Sequence, residues 1–124
     1  PEPAALATAN LRELGLDNVE VRVGRFQDEL APALADLGTV GHAFIDGHHD
    51  EEATLEYLEL IRPHLAPGAT VVFDDIDWSD GMRRAWRTVL GDARVDIGVD
   101  LGDVGLVVIG ADEPEPVRVE ATVV

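Results

Sequence analysis

The sequence predicts one α/β layered domain, and three patterns carry that expectation. The runs at residues 40–45 and 69–73 are apolar without alternation, as expected of strands covered on both faces. Segments with helical spacing lie before, between and after them, and strands alternating with helices build layered α/β domains. Both runs also deliver acids at their C-terminal ends, Asp46-Gly47-His48-His49 after the first and Asp74-Asp75 after the second. In open parallel sheets ligands bind just beyond the carboxyl ends of the strands, so the two endings predict one shared crevice.

Taken in order, residues 3–14 place Ala5, Leu6, Ala9 and Leu14 on one helical side, with Gly15 where a helix would end. Val19, Val21 and Val23 alternate with Glu20 and Arg22, the pattern of an edge strand buried on one face. A short helix through residues 28–34 follows, provided Pro32 lies in its first turn, where a missing N–H is harmless; it leads to Gly38. The runs at 40–45 and 69–73 then form the interior of the sheet. Between them, residues 51–65 set Tyr57, Leu58, Ile61 and Leu65 on one face and Glu52, Glu56 and Glu59 elsewhere, a surface helix whose final turn Pro63 distorts.

Met82, Ala85, Trp86, Val89 and Leu90 fall at i, i+3, i+4, i+7 and i+8, with Ser79 or Asp80 as the cap and Gly91 as the stop. Arg83, Arg84 and Arg87 lie on the opposite, solvated side of that helix. Val95, Ile97, Val99 and Leu101 alternate up to Gly102-Asp103, and the run from Gly105 to Ile109 returns, so the sheet finishes as an antiparallel hairpin. The tail, residues 113–124, alternates again through Val117, Val119, Ala121 and Val123, a further strand or an arm exchanged with a second molecule.

With 124 residues the chain is sized for a single domain, residues 1–124, and with no cysteine it has neither disulfides nor thiolate chemistry. All nine basic residues are arginine, and the formal charge of −16 repels nucleic-acid phosphates and anionic membrane surfaces. Such acidity fits either adaptation to high salt or a compositional bias, and a hydrophobic fraction of 46% argues against disorder. No apolar run approaches the roughly 20 residues that cross a bilayer and no basic, apolar leader opens the chain, so a soluble cytoplasmic protein is expected.

At the strand ends, Asp46, Asp74 and Asp75 offer oxygens of the kind Mg²⁺ prefers, and His49 is an imidazole able to move a proton near neutral pH. Other readings of the same residues stay open. Asp46, His48, His49 and Asp50 together are donors for zinc or manganese in a metal-dependent hydrolase. Asp75 and Asp77 precede a helix and suit its N-terminus. Trp78 is either a wall of a substrate pocket or a core residue, and His42 and His64 read as structural or surface residues.

The order of strand, Asp46-Gly47-His48-His49, helix, Leu65-Ala66-Pro67-Gly68-Ala69, strand, Asp74-Asp75, helix and hairpin resembles the second half of a class I S-adenosylmethionine-dependent methyltransferase over residues 3–110. The Phe-Ile-Asp-Gly-x-His stretch at 44–49 is similar to the branch of small-molecule methyltransferases that includes catechol O-methyltransferase. That resemblance implies a Rossmann-like, mostly parallel sheet with a C-terminal antiparallel hairpin, and methyl transfer from S-adenosylmethionine to a small-molecule hydroxyl. It also implies Asp46 as metal ligand or cofactor-side carboxylate, Asp74 and Asp75 as further ligands of Mg²⁺ or another divalent cation, and His49 standing where the family places a catalytic lysine. Gly24, Phe26 and Gln27 would lie on the adenine side of the cofactor.

The family's glycine-rich first strand and the acid that grips the cofactor ribose have no counterpart in these residues. The resemblance thus implies either a piece of a longer enzyme or a shortened, non-catalytic relative that serves as an interaction domain. A sheet without that central strand exposes unpaired edges, so a homo-oligomer is expected.

Overall fold

A computed structural model of the chain describes residues 2–110, and the strand expected at 117–123 lies outside them. The chain forms two compact units with their boundary between Asp36 and Leu37.

In the first unit, helix α1 (Glu2–Glu13) ends as its sequence predicts. Gly15 takes φ +71, the left-handed conformation that lacks a Cβ penalty in glycine alone. Its N–H donates to the Arg12 carbonyl and that of Leu16 to Leu11, each at 3.0 Å, which satisfies two of the carbonyls left open at the helix end. Residues 19–23 form no strand, contrary to the alternation of their valines, and Val19, Val21 and Val23 stay exposed. Alternation marks which face a strand would bury, but a strand exists only within a ladder, and among the described residues the strands of the sheet all lie further along. Instead Arg22 is held by Glu20 at 2.8 Å and Asp36 at 2.5 Å.

Helix α2 (Phe26–Leu37) is longer than the 28–34 expected, and Pro32 sits in its interior rather than its first turn. The helix starts where the Arg25 carbonyl accepts from Asp28 and Glu29, both at 3.0 Å, a start with no capping side chain to announce it. Pro32 then forfeits one backbone bond, an effect of about 3 kcal/mol against an interior alanine.

Among the described residues the second unit holds a four-stranded sheet in the order β1-β2-β4-β3, made by β1 (Val40–Ile45), β2 (Leu65–Phe73), β3 (Val95–Asp100) and β4 (Gly105–Ile109). β1 and β2 run parallel, with Phe44 beside Val72 and Ile45 beside Phe73, while the β2–β4 and β3–β4 pairs are antiparallel. β2 is interior, as expected, and β4 lies beside it. β1, however, ends the sheet, and Phe44 is 57% exposed. The small residues Gly41 and Ala43 blur its alternation and make it read as a covered strand, although His42 and Phe44 share one exposed set and Ile45 is buried.

Helix α3 (Glu51–Ile61) opens on Asp50, whose carboxylate accepts from Ala53 N–H at 3.1 Å. It gives way at Pro63 to a 3₁₀ turn (Arg62–His64), so Leu65 belongs to β2 and not to the helix. Gly68, at φ +79, makes the turn that precedes the regular part of β2. Helix α4 (Asp80–Leu90) opens on Ser79, which accepts from Met82 N–H at 3.1 Å, and stops at Gly91.

The core of this unit gathers Ile45, Val71, Phe73, Val107 and Ile109 from the sheet, Tyr57, Leu58 and Ile61 from α3, and Met82, Ala85, Trp86 and Val89 from α4. Trp86 lies 5.9 Å from Phe73 between ring centres, and its indole N–H donates to Asp100 at 3.0 Å. Gly105 makes that placement possible, because a Cβ there would come within 2.7 Å of the indole. The arginines of α4 have bland partners: Arg83 pairs with Asp77 and Asp80, and Arg84 with Glu51.

After α4, Asp92 accepts from the backbone and side chain of Arg94 and from Arg62. These donors, Arg94 foremost, hold its carboxyl well below the usual carboxylate range. A depressed folded-state pKa contributes stability above the unfolded value near 4, and loses it as pH falls toward the folded value. Urea unfolding midpoints should therefore drop between pH 5 and pH 2, and D92N should lower the midpoint at pH 7 while flattening that slope. An unchanged slope in D92N would remove Asp92 from the account.

Candidate active site

Register brings the two acidic endings together. Ile45 and Phe73 are neighbours in the parallel β1–β2 ladder, and the ladder extends one step further, with Asp74 N–H donating to the Ile45 carbonyl at 3.0 Å. Asp46 therefore leaves β1 beside the point where Asp74 and Asp75 leave β2.

The chain after Asp46 turns at once. His49 N–H donates to the Gly47 carbonyl at 2.8 Å, closing a three-residue turn centred on His48 at φ +51. A γ-turn of this hand is rare and strained. His49 follows at φ +24, and Asp75, on the other strand end, stands at φ +54. Among the described residues these are the non-glycine positions with positive φ, each an effect of about 1–3 kcal/mol that the surrounding structure must offset.

These turns carry His49 Nε2 to 3.1 Å from Asp75 Oδ2 and 3.4 Å from Asp46 Oδ1. One donor atom from each of Asp46, His49 and Asp75 lies within 4.8 Å of the others, close enough to share an ion. The Trp78 ring, 5.6 Å from that of His49 and tilted 51°, is 68% exposed, so it stands beside the cluster and not in the core.

Asp74 takes a different place. Its Oδ1 accepts from Asp75 N–H at 3.0 Å, a contact that steadies the turn presenting Asp75. His48 turns to α3, with its Nδ1 2.6 Å from Tyr57 Oη, and Asp50 caps that helix. Of the four donors of a hydrolase reading, only Asp46 and His49 thus meet in the cluster. His42 bonds Thr70 at 2.6 Å and His64 bonds the Gly38 carbonyl at 3.0 Å, both structural. Gly24, Phe26 and Gln27 belong to the first unit, where Phe26 and Gln27 open α2. The Tyr57 contact had no sequence signal, since its apolar helical spacing reads as core alone.

Fold and site together define an α/β protein whose carboxylates and imidazole converge at adjacent strand ends. A family model described as a methyltransferase domain matches residues 1–76, and the chain belongs to that family. No curated protein matches the sequence. Among solved structures the fold is similar to that of an O-methyltransferase from Bacillus cereus, crystallised in complex with SAH, at a TM-score of 0.66 and 21% identity. The match covers 87% of this chain and 58% of that one, so the chain spans little more than half of that protein's length. No helix among the described residues is long and apolar enough to cross a membrane.

Proposed function

We propose that the chain is part of an S-adenosylmethionine-dependent methyltransferase acting on a hydroxyl of a small molecule, with Asp46, His49 and Asp75 at the reacting end. The convergence of these three side chains on the strand ends of a methyltransferase-family fold is the observation that supports it most. The solved neighbour's complex with SAH, the product form of that cofactor, points the same way. For Gly24, Phe26 and Gln27 as cofactor-binding residues the support is the family resemblance alone.

The donor set fits a divalent cation. Two carboxylate oxygens and one imidazole nitrogen converge, and the side chains of Asp46, His49 and Asp75 are 53%, 36% and 33% exposed, which leaves room for water or an acceptor oxygen. Because one donor is nitrogen, the set suits Mn²⁺, Fe²⁺ or Zn²⁺ better than Mg²⁺. A bound cation would lower the pKa of a hydroxyl held against it.

The chain's own part in methyl transfer is alignment and proton removal, since a sulfonium donor needs no covalent help. A hydroxyl entering the space between Asp46 and Asp75 lies within reach of His49 Nε2, and the ring takes its proton in the form in which that nitrogen carries none. Asp46 and Asp75 lie within reach of the charge the ring then carries. His49 cannot hold the ion and take the proton through Nε2 at once, so the two roles alternate with occupancy.

Calorimetric titration with Mn²⁺ and with S-adenosylhomocysteine, followed by transfer of labelled methyl from S-adenosylmethionine to phenols and sugars, tests the proposal. Binding of both ligands and label in an acceptor are expected. Metal binding alone would favour a hydrolase, and binding of neither would mark a non-catalytic domain.

A further inference from the structure

The pair Tyr57–His48 lies outside the cluster, yet it holds the turn that builds it. Tyr57 is 3% exposed on the core side of α3, a position that hydrophobic packing fixes. From there its hydroxyl reaches out 2.6 Å to Nδ1 of His48, an exposed residue at the centre of the strained γ-turn. The next residue is His49, whose N–H closes that turn and whose ring faces Asp46 and Asp75.

We infer that Tyr57 is a positioning residue: its bond to His48 locks the γ-turn that presents His49 to the two carboxylates. The inference rests on the cluster being the functional site. A strained turn on an exposed loop relaxes unless something anchored over-determines it. Anchors flank the turn on both sides. Asp50 fixes the exit of the loop by capping α3, and the Ile45–Phe73 register fixes its entry. Neither fixes the residue between, and the side chain at the centre of the turn is what Tyr57 holds. A phenol rooted in the core is suited to that task, because its ring has no freedom left to lose.

Y57F removes one oxygen and keeps the ring that fills the core, so the fold is expected to persist. Two readouts in the full 124-residue chain separate positioning from packing. In metal-free protein, the His49 ring protons should carry a ring-current shift from Trp78, 5.6 Å away. That shift should move toward the free-imidazole position in Y57F. In Mn²⁺ titrations the variant should bind roughly tenfold more weakly, the lower end of what loss of an outer partner does to a metal site.

H48G supplies the control, since glycine accepts positive φ without strain. In that background adding Y57F should change neither readout further. If Y57F lowers the unfolding midpoint but leaves the His49 signals and the Mn²⁺ affinity at wild-type values, Tyr57 only packs and the inference is overturned. If the wild-type chain binds no Mn²⁺, the cation reading of the cluster fails separately, and the His49 signals still decide whether Tyr57 holds the turn.

Discussion

D46N is expected to weaken Mn²⁺ binding on the order of 100-fold or more, since loss of an outer partner alone reaches 10–100-fold. Asparagine matches aspartate in size, so the β1 terminus and the turn after it persist. What disappears is one of the two negative charges around His49 Nε2. A neutral amide oxygen is a weaker donor than a carboxylate for a hard divalent ion.

D77N is the matched control. Asp77 lies two residues past the cluster and pairs with Arg83, so removing its charge should shift the affinity less than about threefold, the scale of a screened surface interaction. If D46N binds Mn²⁺ as tightly as D77N does, Asp46 is no ligand and the proposed site is wrong.

The second large effect falls on stability. Phe73, almost fully buried at the end of β2, packs on Trp86. F73A should destabilise the protein by about 3–5 kcal/mol, the range for truncating a core phenylalanine. Against a total of about 5–15 kcal/mol for an ordinary domain, that is enough to leave part of the population unfolded at 37 °C. F44A offers the comparison within the same sheet, because Phe44 sits exposed on β1 and its loss should stay within about 0.5 kcal/mol. Urea unfolding of both variants measures the difference, and comparable midpoints would contradict the core described above. Phe73 also precedes Asp74-Asp75, so F73A should lose Mn²⁺ affinity as well.

Helix α4 and the closing hairpin were legible residue by residue, because a strong apolar period, a serine cap and a terminal glycine all agree there. The convergence of Asp46 with the acids after β2 was legible too, since strands paired in parallel must end side by side. Which acid faces His49 was not: the choice of Asp75 over Asp74 turns on one backbone angle, φ +54, that no local pattern encodes. The role of Tyr57 was hidden for a related reason, as its ring obeys the core pattern while its hydroxyl serves the loop. Residues 19–23 misled in the opposite direction. Their alternation is real, but pairing depends on a neighbour that the pattern itself cannot supply. Pro32 misled because proline usually marks the first turn of a helix, whereas a helix begun at Phe26 tolerates one lost bond.

Trp78 and Trp86 sit in opposite surroundings, one open to water against His49 and the other 5% exposed under the sheet. Their fluorescence should therefore separate by colour, the shielded indole emitting to the blue of the wet one. The protein carries two natural dyes, one that reports the collapse of its interior and one that reports events at the imidazole.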